Sequence, residues 1–192
     1  MTISESDLRA LVERVVHRTL GSQPMAATRV ASTADPNPAR VQKTVALGAD
    51  HGGFPLKETL KTHLAALGYL ITDCGTHSTE AVDYPDFAYA VARLVSEGMA
   101  WRGIVIDGAG LGSCMAANKV PGVRAALCYD HATAVNSREH NDANVLTLGA
   151  GLIGPALAKQ IAETWLATEF GGGRHAKRVD KIMEIEKRFL KG

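Results

Sequence analysis

The spacing of apolar and polar positions changes twice along the chain. Between residues 5 and 20, Leu8, Leu11, Val12, Val15, Val16 and Leu20 recur every three or four positions, with Arg9, Glu13, Arg14 and Arg18 between them. That is the stripe of an amphipathic helix. Ser4 is placed to cap it, Asp7 sits near its positive end, and Gly21 stops it. Over residues 21–42 the period disappears, and Gly, Ser, Ala, Thr and Pro dominate, which is linker composition. From Lys43 onward, short apolar runs alternate with longer amphipathic stretches. The runs predict strands over residues 44–48, 69–73, 103–107, 125–128 and 145–148. The stretches between and after them predict helices over 55–67, about 86–97, 130–139, 155–168 and 175–190.

Strands separated by helices imply right-handed βαβ units. The expected fold is therefore α/β, a Rossmann-like three-layer arrangement on a five-stranded parallel sheet. Three segments follow: a helix over residues 1–20, a flexible linker over 21–42, and the α/β domain over 43–192.

Composition narrows the function classes. A formal net charge of +1 over 192 residues gives no field for nucleic acid or an anionic membrane. No apolar run is long enough to span a bilayer, and Glu5, Asp7 and Glu13 interrupt what would be a secretory segment. Cys74, Cys114 and Cys128 form neither a CxxC pair nor an even set, which suits a reducing cytoplasm.

In a parallel sheet, ligands bind beyond the carboxyl ends of the strands. Four polar clusters are expected at that edge. Asp50 and His51 follow the first strand, and Asp107 leads Gly108, Gly110 and Gly112 after the third. His140 and Asn141 precede the fifth strand, and Arg174 and Arg178 open the last helix. Glycines let backbone N–H groups approach an anion closely, so the loop is read as an oxyanion cradle entered by an acid. Its spacing is GxGxG after the third strand, not the GxGxxG of a dinucleotide site after the first. A tight turn packing helix on strand would explain the same glycines. Arg174 and Arg178 are one helical turn apart and can converge on one phosphate, or simply form a solvated basic face. Asp50–His51 could equally be a helix cap, and His140 a hydrogen-bonding residue before a strand.

The blocks ALGADHGGFPLKETLKTHL, DCGTHSTEAVDYPDFA, GAGLGSCMAANKVPGVRAALCYDHATAVNSREHNDANVLTLGA and GGGRHAKRVDKI closely resemble the RpiB/LacAB sugar-phosphate isomerases, chiefly ribose-5-phosphate isomerase B. The resemblance runs from about Thr44 to Lys187. It implies interconversion of an aldose phosphate and a ketose phosphate through a cis-enediolate, with no metal or other cofactor. It also implies a homodimer, or a dimer of dimers, with composite active sites. One subunit would supply Asp50, His51 and Gly108–Gly112, and the other His140, Asn141, Arg174 and Arg178. By the same resemblance His140 would assist ring opening with Asp50, and Arg174, Arg178 and His51 would hold the phosphate. The loop amides would stabilise the enediolate.

Asp107, Ala109 and Gly151 depart from the family's pattern. Asp107 stands where many members carry a catalytic cysteine, and Ser113 where some carry a glutamate. Asp107 is thus the acid expected to act as base, although a free carboxylate is a weaker base than a thiolate. Gly151 replaces a common arginine, and Ala109 a common Ser or Thr. Together they imply altered substrate preference or weak catalysis, the latter making a sugar-phosphate-binding protein with a scaffolding or regulatory role the alternative. The N-terminal helix and linker resemble the encapsulation peptides of bacterial microcompartments. That would make a shell protein a partner through residues 1–20, and the compartment lumen the location. The competing reading is a helix that packs on its own domain or drives oligomerisation.

Overall fold

In the computed structural model, residues 43–190 are described. The predicted helix at 1–20 and the linker at 21–42 lie outside them. The described chain runs β1 (Thr44–Ala49), α1 (Phe54–Ala66), β2 (Leu70–Asp73), α2 (Tyr84–Ser96), β3 (Arg102–Asp107) and α3 (Leu111–Ala117). It continues through β4 (Ala125–Leu127), α4 (His131–Glu139), β5 (Val145–Gly149), α5 (Pro155–Ala167) and α6 (Arg174–Phe189). The five strands form one sheet in the order β2-β1-β3-β5-β4, and every pairing is parallel.

The inner strands are buried and mostly apolar because both faces of the sheet are covered. Val45, Leu47, Ile104, Ile106, Leu146 and Leu148 face α1 and α5, where Leu60, Leu64, Ile161 and the fully buried Trp165 complete the core. The alternate residues Ala46, Val105 and Val145 face α2, meeting Ala88, Val91 and Val95. Element boundaries differ from the sequence reading by one or two residues. Helix α2 begins at Tyr84 because Pro85 falls in its first turn, where a missing N–H costs nothing. Asp130 is not the first helical residue of α4 but its N-cap, in a reciprocal capping box with Thr133. Helix α3, seven residues long, follows the glycine loop directly.

The last helix stands apart in character. Of its 16 residues only Val179 is buried, and Ile182, Ile185 and Phe189 are exposed. It is tied to the amino end of β4 by Glu186, whose carboxylate accepts the Gly122 N–H at 3.0 Å.

Candidate active site

The carboxyl edge of the sheet holds the first group of candidates. Ala49 ends β1, and the Asp50 N–H then donates to Ile106 O at 3.2 Å, so the β1 and β3 termini are locked side by side. Asp50 is buried, and its Oδ1 accepts the Gly53 N–H at 2.8 Å at the entrance to α1. Its Oδ2 has no partner among the described residues. His51 is exposed, with Nδ1 turned to the Val82 peptide, 3.1 Å from its oxygen and 3.2 Å from its nitrogen.

Asp107 closes β3 and turns its carboxylate into the glycine loop. Oδ1 accepts the N–H groups of Ala109, at 2.8 Å, and Gly110, and Oδ2 accepts that of Ser113 at 2.9 Å. The side chain is almost entirely buried, at 4% exposure. The cradle predicted for a substrate oxyanion is therefore largely filled by the protein's own acid. The Gly110 amide is engaged with Asp107, whereas the Gly112 N–H has no partner among the described residues. Gly110 adopts a φ of +77°, which only glycine takes without strain. At Gly112 a Cβ would overlap the Tyr84 ring.

Tyr84 borders the candidate site and is not singled out by the sequence. Its ring lies against Gly112 beside the loop and stays 39% exposed. In sequence it falls just ahead of the helix expected from about residue 86. Tyr129 similarly reaches the loop from the end of β4, its hydroxyl donating to Ala109 O at 3.3 Å. Gly151 packs on the loop's other side, its N–H bonded to Gly108 O at 2.9 Å.

Cys114, the thiol nearest the loop, is pushed up from its ordinary pKa chiefly by burial and also by the Asp107 charge. Its Sγ lies 3.4 Å from Ala125 O. It packs there as a protonated thiol.

The second group does not share this edge. Helix α4 leaves the carboxyl end of β4 and runs back, so its C-cap His140 sits at the amino end of the sheet. Asn144 N–H bonds Arg124 O, just ahead of β4, and Gly103 N–H bonds Asn144 O at the start of β3. The Gly171 N–H donates to Glu139 O at 2.9 Å, and this brings the start of α6 to the same place. The His140 and His175 rings stack there with centroids 4.1 Å apart and planes 4° from parallel. Burial first, then the neighbouring His140, Arg174 and Arg178, hold the His175 imidazole below its ordinary pKa.

The expectation that all four clusters meet at one sheet edge is thus corrected. Asp50, His51 and the Asp107 loop lie at the carboxyl end. His140, Asn141, Arg174 and Arg178 lie at the amino end. The six residues of β3 separate the two ends by about 20 Å. The order of the elements already implies this for His140 and Asn141, because they precede β5 and a loop before a strand of a parallel sheet lies at its amino end. A cavity of about 630 Å³ opens along β4, bounded by Asn118, Arg124, Asn136, Asn141 and Ile182. It adjoins the second group.

The sequence pattern of the ribose/galactose isomerases matches residues 45–182, which is most of the chain. The chain belongs to the ribose/galactose isomerase family. Among curated relatives of this isomerase family, ribose-5-phosphate isomerase B of Escherichia coli is 45% identical over 146 residues, covering 76% of this chain and 98% of that protein. D-erythrulose-4-phosphate isomerase of Pectobacterium atrosepticum is 44% identical over 140 residues, covering 72% and 92%. The solved ribose-5-phosphate isomerase B of Clostridium thermocellum superposes with a TM-score of 0.75 at 54% identity, covering 76% of this chain and 99% of that one. Among the described residues, no helix is long and apolar enough to cross a membrane, and no cluster of His, Cys, Asp and Glu could hold a metal ion.

Proposed function

We propose that the chain is an aldose–ketose isomerase of phosphorylated sugars, with ribose 5-phosphate and ribulose 5-phosphate as its default pair. Family membership supports the reaction class. The observation that carries the reading further is the division of the candidate residues between opposite ends of the sheet. Carboxylates and the glycine loop gather at one end, and Arg174, Arg178 and two histidines at the other. A five-carbon sugar phosphate cannot bridge that separation within one subunit. In a twofold dimer, the amino-end group of each copy can meet the carboxyl-end group of the other, giving two equivalent composite sites. A dimer of dimers would repeat the unit.

In such a site Arg174 and Arg178 hold the phosphate with His51, and Asn141 lines the sugar. His140 and Asp50 assist ring opening. Asp107 takes the C2 proton to give the cis-enediolate and returns it to C1, while the hydroxyl proton passes from O2 to O1. The Gly112 N–H is left to meet the developing oxyanion. No metal or cofactor is called for.

A second reading is favoured by one specific feature. Three backbone N–H groups already occupy the Asp107 carboxylate, out of about four acceptor positions. A carboxylate so engaged could leave a sugar-phosphate-binding protein with little turnover, serving a scaffolding or regulatory role. Incubating the protein with a panel of aldose and ketose phosphates in deuterated water, followed by NMR, separates the two. Conversion with deuterium at C1 of the ketose, or at C2 of the aldose formed in the reverse direction, supports the isomerase. Binding with no exchange for any sugar supports the second reading.

Residues 1–20 are proposed as an address for a microcompartment shell protein. Deleting them should abolish co-purification with shell proteins and leave the subunit assembly intact. Retained co-purification would reject the address.

A further inference from the structure

His140 is held by two residues, Asn136 and His175. Asn136 lies one turn before it on α4, and the two are joined twice. The His140 N–H donates to Asn136 O at 3.0 Å, and the Asn136 side-chain nitrogen lies 2.9 Å from His140 Nδ1. An amide nitrogen can only donate. With the amide in this orientation Nδ1 accepts, which places the ring proton on Nε2. A proton on Nδ1 would set two N–H groups against each other at 2.9 Å.

The second residue is His175, stacked on the other side of the arrangement at 4.1 Å. It fixes the plane of the His140 ring, so that Nε2 points along one line. Arg174 Nε in turn donates to His175 Nε2 at 3.4 Å, which anchors the stack to the start of α6. The charged groups around the pair are Arg174 and Arg178 on α6 and Glu139 on α4.

We infer that Asn136 is a positioning residue that locks His140 as an Nε2–H donor, so that His140 assists ring opening by hydrogen bonding and neither gives nor takes a proton. This rests on the isomerase reading and on the role in ring opening given there to His140. When a furanose phosphate opens, the C1–O4 bond breaks and its electron pair stays on O4. The O1 proton passes through the free oxygen of Asp50 from the partner copy to O4, and C1=O forms. His140 Nε2–H meets O4 as its charge grows. A neutral imidazole donor of this kind needs no change in its own protonation.

The test uses the full-length protein labelled with ¹⁵N-histidine, with the His140 signals assigned from a His140→Gln variant. At pH 7.5 the wild type should show Nε2 protonated and Nδ1 bare. In Asn136→Leu the tautomers should mix, and in Asn136→Asp the Nδ1–H form should dominate, because a carboxylate can only accept. A wild-type spectrum of the Nδ1–H tautomer or of the imidazolium overturns the proposal.

Kinetics give the second readout. His140→Gln, which keeps a neutral donor, should retain ribose 5-phosphate turnover within about tenfold, and His140→Ala should lose about 10²–10³-fold. Asn136→Asp should lower kcat on ribose 5-phosphate about tenfold. It should leave a four-carbon aldose 4-phosphate unaffected, since that sugar has no free hydroxyl to close a five-membered ring. Equal losses on both sugars, or no rescue by glutamine, would overturn the role. If wild type isomerises neither sugar, the isomerase reading fails while the tautomer spectrum still decides the role of Asn136.

Discussion

The Asp107 carboxylate and the Ser113 backbone N–H meet at 2.9 Å, across a loop that also gives Asp107 the N–H groups of Ala109 and Gly110. An acid at the end of β3 thus organises the loop that is proposed to receive the substrate. Structure and chemistry converge on one side chain. Its replacement tests both.

Asp107→Asn keeps the size but offers one acceptor oxygen and one NH₂ to three N–H donors. Isomerisation should fall by at least about 100-fold, and stability by about 1–3 kcal/mol, because at least one buried donor loses its partner. Steady-state kinetics and a urea melt read the two effects separately. Unchanged turnover would remove Asp107 from the role of base.

Arg174 and Arg178 open α6 within one turn of each other and carry no side-chain ion pair to a carboxylate among the described residues. If they hold the phosphate, each alanine variant should raise KM about tenfold and the double variant more, with kcat little changed. A fall in kcat at constant KM would place them in the transition state instead.

The three thiols should be poor nucleophiles. Burial, with the Asp73 charge second, pushes Cys74 up to about 12, and burial also raises Cys114 and Cys128. At pH 8 the folded protein should take up iodoacetamide slowly at every cysteine, and rapidly only in denaturant. Fast native labelling of Cys114 would contradict this.

Asp73 tests the frame beneath the site. Burial alone would raise its carboxyl, but hydrogen bonds from Lys57 and Lys61, both at 2.6 Å, and from the Gly75 N–H outweigh burial and hold it below the usual range. The native state therefore binds fewer protons than the unfolded one. The resulting stability is full above about pH 4 and is lost as pH falls through the lowered value. Asp73→Asn should cost about 2 kcal/mol at pH 7, less than a fully buried pair because Asp73 keeps some solvent. The difference from wild type should shrink in acid, as thermal melts across pH 2–7 would record. A gap that stayed constant with pH would contradict the ion-pair account.

How much of this was legible beforehand depends on the kind of signal. The alternation of Val45, Leu47, Ile104, Ile106, Leu146 and Leu148 with amphipathic helices carries the fold, since a two-sided core imposes it directly on the sequence. The place of Asp50, His51 and the glycine loop at the carboxyl edge was legible because they follow strands. Tyr84 was not, because its contact with Gly112 joins positions far apart in the chain, and no local pattern encodes it. His140 and Arg174 were recognised as residues but placed at the wrong end of the sheet. Asp107 was read as entering the loop, whereas its hold on three amides depends on backbone geometry that composition does not express.

The most direct measurement is complementation between inactive variants. Asp107→Asn and His140→Ala should each be inactive alone. Unfolded together and refolded, they form mixed dimers in which one site has both halves intact. About a quarter of wild-type ribose 5-phosphate turnover should then return, from random pairing of two copies. A mixture as inactive as its parts, with mixed dimers demonstrably present and the wild type active, would contradict a site shared between subunits.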